Sequence, residues 1–149
     1  MPMTTPVVST KSGFTLIEVL VAVVILTVGL LGLMQTVIYA INHNMTNQLR
    51  QEAVLVADEA MATEKAKPYS DIAAPDFDSS ISTYSALPTV SSSTTINRVF
   101  NGVSRSYTVV TTKRAPTAQS KSIEVAASWT YKTKNYNHTI SSIVTNISQ

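Results

Sequence analysis

The sequence predicts an α+β fold: a long N-terminal helix, membrane-spanning in its first half, packed under a small antiparallel β-sheet. Three observations predict it. No charge occurs between positions 19 and 34, where only Thr27, Gly29 and Gly32 interrupt the large apolar residues. An apolar stripe at spacings of three and four then continues through Ile38, Ile41, Met45, Leu49, Ala53, Val56 and Ala60. Beyond Pro68 the chain becomes rich in Ser, Thr and Asn, and its apolar residues recur with a period of two.

The first element is apolar on every side, which separates it from an amphipathic core helix. Residues 19–41 reach about 35 Å as a helix, enough for a hydrocarbon core of about 30 Å. A secretory signal has a shorter apolar region, a basic start and a small-residue cleavage site. Here the leader offers Lys11 alone, and no A-x-A site directly follows the apolar run at Ile41. Lys11 on one side and Arg50 on the other leave the orientation undecided by flanking charge. Glu18 heads this run, and a carboxylate in hydrocarbon costs roughly 2.5–3.5 kcal/mol. It calls for a partner, and no nearby residue of the chain is an obvious one.

The helix is expected to run on from the membrane. No proline interrupts it before Pro68, and Lys65 and Lys67 suit a helix C-terminus. Residues 14–66 therefore read as one helix of about 80 Å, with 14–41 as the membrane stem and 42–67 as the half that docks under the small domain. Gly29 and Gly32 each cost about 1 kcal/mol of helix propensity. Close helix–helix packing and local melting of the stem are both open readings of them.

Residues 68–95 read as a connecting loop, "YSDIAAPDFDSSISTYSALPTVSSS" at its heart. Asp71, Asp76 and Asp78 match no EF-hand spacing and read as solvated loop acids, so no metal site is expected. Residues 96–149 read as antiparallel sheet. Asn101-Gly102 between two β-prone runs predicts a type I′ hairpin. Ile123, Val125, Ala127, Trp129 and Tyr131 alternate with polar or small residues as a half-buried strand. Residues 132–135 turn the chain into a last strand whose Ile140, Ile143, Val144 and Ile147 alternate imperfectly, which a β-bulge would explain.

Composition restricts the chemistry. The absence of cysteine excludes disulfides, thiolate nucleophiles and Cys-ligated zinc. His43 and His138 stand alone without ligand spacing, no Gly-rich phosphate loop follows a strand, and no nucleophile elbow is present. An enzyme is not expected, nor is a cofactor. Charge is segregated: seven acids against Lys65 and Lys67 between positions 52 and 78, and seven bases against Glu124 between 98 and 134. The bases, Arg98, Arg105, Lys113, Arg114, Lys121, Lys132 and Lys134, are a candidate anion-binding set and equally a solvated basic sheet face.

The stretch "KSGFTLIEVLVAVVIL" resembles the N-terminus of type IV prepilins, with a short hydrophilic leader ending in Gly, then Phe-Thr-Leu-Ile-Glu and an apolar run. The resemblance implies a pilin-like fold and a leader of residues 1–13. It also implies cleavage by prepilin peptidase between Gly13 and Phe14 and N-methylation of Phe14. It further implies that Glu18 meets the N-terminal amine of a neighbouring subunit during assembly. "VGLLGLMQ" and the ending "YTVVT…IEVAASWTY…HTISSIVTNIS" are similar to PilV-like type IV pilus modification proteins, which are minor pilins.

The function so implied is a minor pilin in a priming or tip complex. Its partners would be prepilin peptidase, other minor and major pilins, and the inner-membrane assembly platform. It would cross the inner membrane once with its C-terminal region periplasmic, then move to the pilus surface on assembly. A minor pseudopilin of type II secretion rests on the same motif. A binding module, either a tip adhesin or a nucleic-acid-contacting protein using the seven bases, is the reading from a different class; its DNA binding would weaken steeply with salt.

Overall fold

The computed structural model describes residues 13–100 and 102–146. Lys11 and the rest of the leader before Gly13, Asn101 of the expected hairpin turn, and Ile147 of the last strand lie outside them. The chain consists of α1 (Leu16–Lys65), β1 (Val90–Phe100), β2 (Val103–Thr117), β3 (Ser120–Tyr131) and β4 (Lys134–Thr145). It divides into two compact units, Met1–Asn44 and Met45–Gln149.

In the first unit α1 is exposed throughout, from Leu16 to Ile41. The helix assignment is continuous through Gly29 and Gly32. The two threonine hydroxyls of this stretch are satisfied by their own helix: Thr27 donates to the Val23 carbonyl at 2.7 Å and Thr36 to the Gly32 carbonyl at 3.1 Å. No free donor is left to face hydrocarbon at those positions. The helix begins at Leu16, two residues later than expected, because Thr15 acts as its cap.

In the second unit the last turns of α1 pack on one face of a four-stranded antiparallel meander, ordered β1-β2-β3-β4. Leu49, Ala53, Val56, Ala57 and Met61 are buried from the helix side. They meet Tyr107 and Val109 of β2 and Ile123, Val125, Ala127 and Trp129 of β3. The two alanines, fully buried, let the helix backbone come close to the sheet. Val56, Ile72, Ile123 and Val125 have no exposed surface, and burial of each is worth about 1.5–3 kcal/mol. The Tyr107 hydroxyl donates to the Leu49 carbonyl at 3.3 Å, joining sheet and helix through the core. The expected stripe therefore holds from Met45 onward, whereas Ile38 and Ile41 are exposed.

Three local expectations are corrected. The connection is shorter than 68–95, since β1 already begins at Val90 and pairs with Lys113 of β2. Its Ser and Thr residues conceal a strand because β1 is an edge strand with little to bury on either face. No bulge interrupts β4, whose register runs unbroken from Ser120↔Thr145 to Tyr131↔Lys134. The slip in its pattern arises because Ile143 faces outward, 64% exposed, while His138 and Ser142 take inward positions between Tyr136, Ile140 and Val144. The irregularity lies in β2 instead, between Arg114 and Thr117.

The two hairpin tips differ. Gly102 takes φ of +76°, as a tight two-residue turn requires. The β3–β4 turn is tighter than the expected 132–135 and consists of Lys132 and Thr133, with φ of +47° and +66°. A β-branched threonine in the left-handed region is strained.

Candidate functional site

The Gly13–Phe14 bond lies just ahead of the first turn of α1. Gly13, Phe14 and Thr15 precede the first helical residue and are exposed, Phe14 at 85%. Thr15 caps α1: its side-chain oxygen accepts from the Glu18 amide at 3.3 Å, and its carbonyl accepts from Glu18 and Val19 at 3.1 and 3.3 Å. Glu18 thus occupies the first turn, where a negative charge complements the helix dipole. Among the described residues nothing hydrogen-bonds or pairs with its carboxylate. Thr15 was missed from sequence, although Thr-x-x-Glu before an apolar run is a recognisable start signal.

The glycines of this region meet no packing demand within the chain. A Cβ added at Gly13, Gly29 or Gly32 would touch nothing within 4 Å. Helix α1 is long and apolar enough to cross a membrane, with a mean hydropathy of 2.8 in its most apolar window and none of that window buried.

The seven bases do not form one face. Arg98 bridges Glu52 at 3.5 Å and also pairs with Glu59, both on α1. Lys113, 7% exposed, reaches Glu64 of α1 at 2.7 Å. Lys121 donates to the carbonyls of Tyr69 and Ile72 at 2.9 and 2.8 Å and lies 4.5 Å over the Tyr69 ring, clasping the connecting loop. Arg114 points to the opposite face, 3.3 Å from Glu124 and 5.1 Å over Tyr84, whose hydroxyl shares a 2.9 Å hydrogen bond with Ser122. The acidic run and the basic run thus meet each other inside the second unit.

Only Arg105, Lys132 and Lys134 gather elsewhere. Arg105 and Lys132 lie 5.9 and 5.7 Å from the Tyr131 ring, and Lys134 is the register partner of Tyr131. This end of the sheet also carries an aromatic ladder. Trp129 stacks on Tyr136 at 5.5 Å and tilts against Tyr107 at 6.0 Å. Such pairs add about 0.5–1.5 kcal/mol beyond their buried area.

Two groups show how the interior acts on charge. Burial raises the Glu64 carboxyl, but hydrogen bonds and charge from Lys113 and Lys67 outweigh it and hold the group below its ordinary 4.5. Burial, reinforced by Glu52 and opposed by Arg105, pushes the Tyr107 phenol above its ordinary 10.0. Of the loop acids, Asp78 accepts from the Ser80 amide at 2.9 Å and its hydroxyl at 2.6 Å, which lowers its pKa. Asp71 accepts from Ser70 at 2.9 Å.

Residues 8–34 match the family model described as the prokaryotic N-terminal methylation motif. The match covers the N-terminal segment alone and supports a type IV prepilin-like N-terminus. No curated protein and no solved structure matches the chain.

Proposed function

We propose that this protein is a minor pilin, a non-enzymatic structural subunit that helps prime or cap a type IV pilus. The observation that carries the reading is the motif at residues 8–34, joined to an exposed Gly13–Phe14 bond and a Glu18 without a partner among the described residues. Cleavage at that bond creates an α-amino cation on Phe14, and methylation keeps it charged. Two unit charges 4 Å apart attract by about 4 kcal/mol at an effective dielectric near 20. Glu18 of one subunit and the Phe14 amine of the next then satisfy each other, which removes the penalty of a lone carboxylate in lipid. Gly13 serves the peptidase rather than the fold. Gly29 and Gly32 serve close approach by other stems, since neither is needed for space within the chain. Before assembly the second unit lies in the periplasm.

Intact-mass measurement of the mature protein tests the processing step: residues 1–13 should be lost and one methyl group gained. Retention of the leader in a host that has the peptidase overturns the reading. Glu18→Ala should leave the protein in the membrane but abolish its incorporation into fibres, and normal piliation would count against it. A minor pseudopilin shares the motif; a deletion that stops exoprotein secretion and spares pili would favour it.

A further inference from the structure

The two hairpins of the sheet part company at one end. β1 and β2 pair up to Phe100↔Val103, and β3 and β4 pair up to Tyr131↔Lys134. Between the hairpins, however, pairing stops at Thr108↔Ser128. Continuing that register would set Tyr107 opposite Trp129, Ser106 opposite Thr130 and Arg105 opposite Tyr131, yet none of these pairs forms. Two-stranded ribbons twist more strongly than wide sheets, so each hairpin follows its own twist once released from the other. The gap is a cleft of about 610 Å³, lined by Arg105, Ser106, Tyr107, Trp129, Thr130 and Asn135 among others.

Both walls of this cleft are strand edges whose main-chain donors and acceptors on the cleft side have no strand to pair with. An extended peptide supplies alternating donors and acceptors at the spacing of a strand, on both of its own edges. Neither a sugar nor an aromatic ligand does so. The charge around the opening selects the side chain. Arg105 lines the cleft and lies 5.9 Å from the Tyr131 ring, which Lys132 also approaches at 5.7 Å. Trp129, 5% exposed, keeps its indole N–H without an acceptor. A carboxylate is the group that answers both a guanidinium and an unmet donor.

We propose that the split between the hairpins is a strand-insertion site, which takes an extended, acidic peptide segment of a partner protein between β2 and β3. The inserted strand runs antiparallel to one neighbour and parallel to the other, and it completes a five-stranded sheet. The site is independent of the N-terminal motif and would stand even if the pilus reading failed.

Trp129 is the chain's one tryptophan, so its emission reports on the cleft without interference. The full-length protein in dodecylmaltoside micelles is titrated with the synthetic peptide acetyl-Thr-Glu-Val-Glu-Thr-amide. A saturable change in emission is expected, together with slowed amide exchange at residues 104–107 and 129–131. Replacing the central valine by proline removes an amide donor and should weaken binding at least about tenfold. Exchanging both glutamates for lysine, or Arg105→Glu in the protein, should each weaken it about tenfold. Equal binding of the proline peptide overturns main-chain insertion, and it needs no altered protein. Amides at 104–107 that are already protected without peptide overturn the open cleft. A single-stranded oligonucleotide that shifts Trp129 emission while the peptide does not would overturn the proposal in favour of nucleic acid.

Discussion

The two parts of α1 belong to one helix and treat water in opposite ways. Across residues 16–41 every side chain is exposed, including Leu20, Leu26, Leu30 and Leu33. Across residues 45–65 the apolar positions Leu49, Ala53, Val56, Ala57 and Met61 are buried against the sheet. The first part has apolar residues all round and one acid, Glu18, with nothing for it to pair with among the described residues. The second has a stripe, and its acids Glu52, Glu59 and Glu64 have cations of the sheet within reach. The difference teaches where each part finds its partners: the second finds them inside its own chain, and the first finds none there among the described residues.

The sharpest way to break the comparison is to put one charge in each part. Val56→Asp buries an unpaired carboxylate in the core and should cost the Met45–Gln149 unit about 4 kcal/mol or more, abolishing its cooperative melting by circular dichroism. Val24→Asp should leave that transition in place and instead weaken membrane retention in carbonate extraction. Equal melting of the two variants would mean that the parts are not distinct.

Next in size is the buried ion pair that ties α1 to β2. Lys113→Ala leaves Glu64 with Lys67 alone, at 2.8 Å, and should cost about 2 kcal/mol in urea unfolding at pH 7. The pH dependence has a definite sign. Because the folded Glu64 carboxyl is held below its ordinary 4.5, its contribution is complete above that value. It is lost as pH falls through the lowered folded value. The gap between wild type and Lys113→Ala should therefore close below about pH 4.5.

A change confined to the sheet sharpens the comparison from the other side. Thr133→Gly relieves a β-branched residue at φ of +66° and should raise stability by roughly 1 kcal/mol, with membrane retention unchanged. The smallest effect is expected at Arg98. Its pair with Glu59 is open to solvent and its pair with Glu52 is long, at 3.5 Å, so Arg98→Ala should cost no more than about 1 kcal/mol.

How much was legible follows from how local each signal is. The run from Gly13 to Glu18 is contiguous, so it could be read without a fold. The stripe from Met45 could be read because helical periodicity is set by the backbone, and β3 because its alternation is clean. The first half of β1, residues 90–95, escaped notice since an edge segment of Ser and Thr carries no burial pattern. Ile143 suggested a bulge because an exposed isoleucine looks inward-facing on paper. Lys113 and Arg114 show the limit most plainly: neighbours in the chain, they point to opposite faces and pair with Glu64 and Glu124. Charge counts saw a basic run, and strand register divided it.

By itself the sequence determined the processing motif, the apolar stem and the helix-then-sheet order, because each depends on residues close together along the chain. Tertiary structure decided which cation meets which acid, where Ile143 points and that the hairpins separate beyond Thr108 and Ser128. These outcomes depend on strand register and twist, which bring together residues far apart in the chain and which no short stretch encodes.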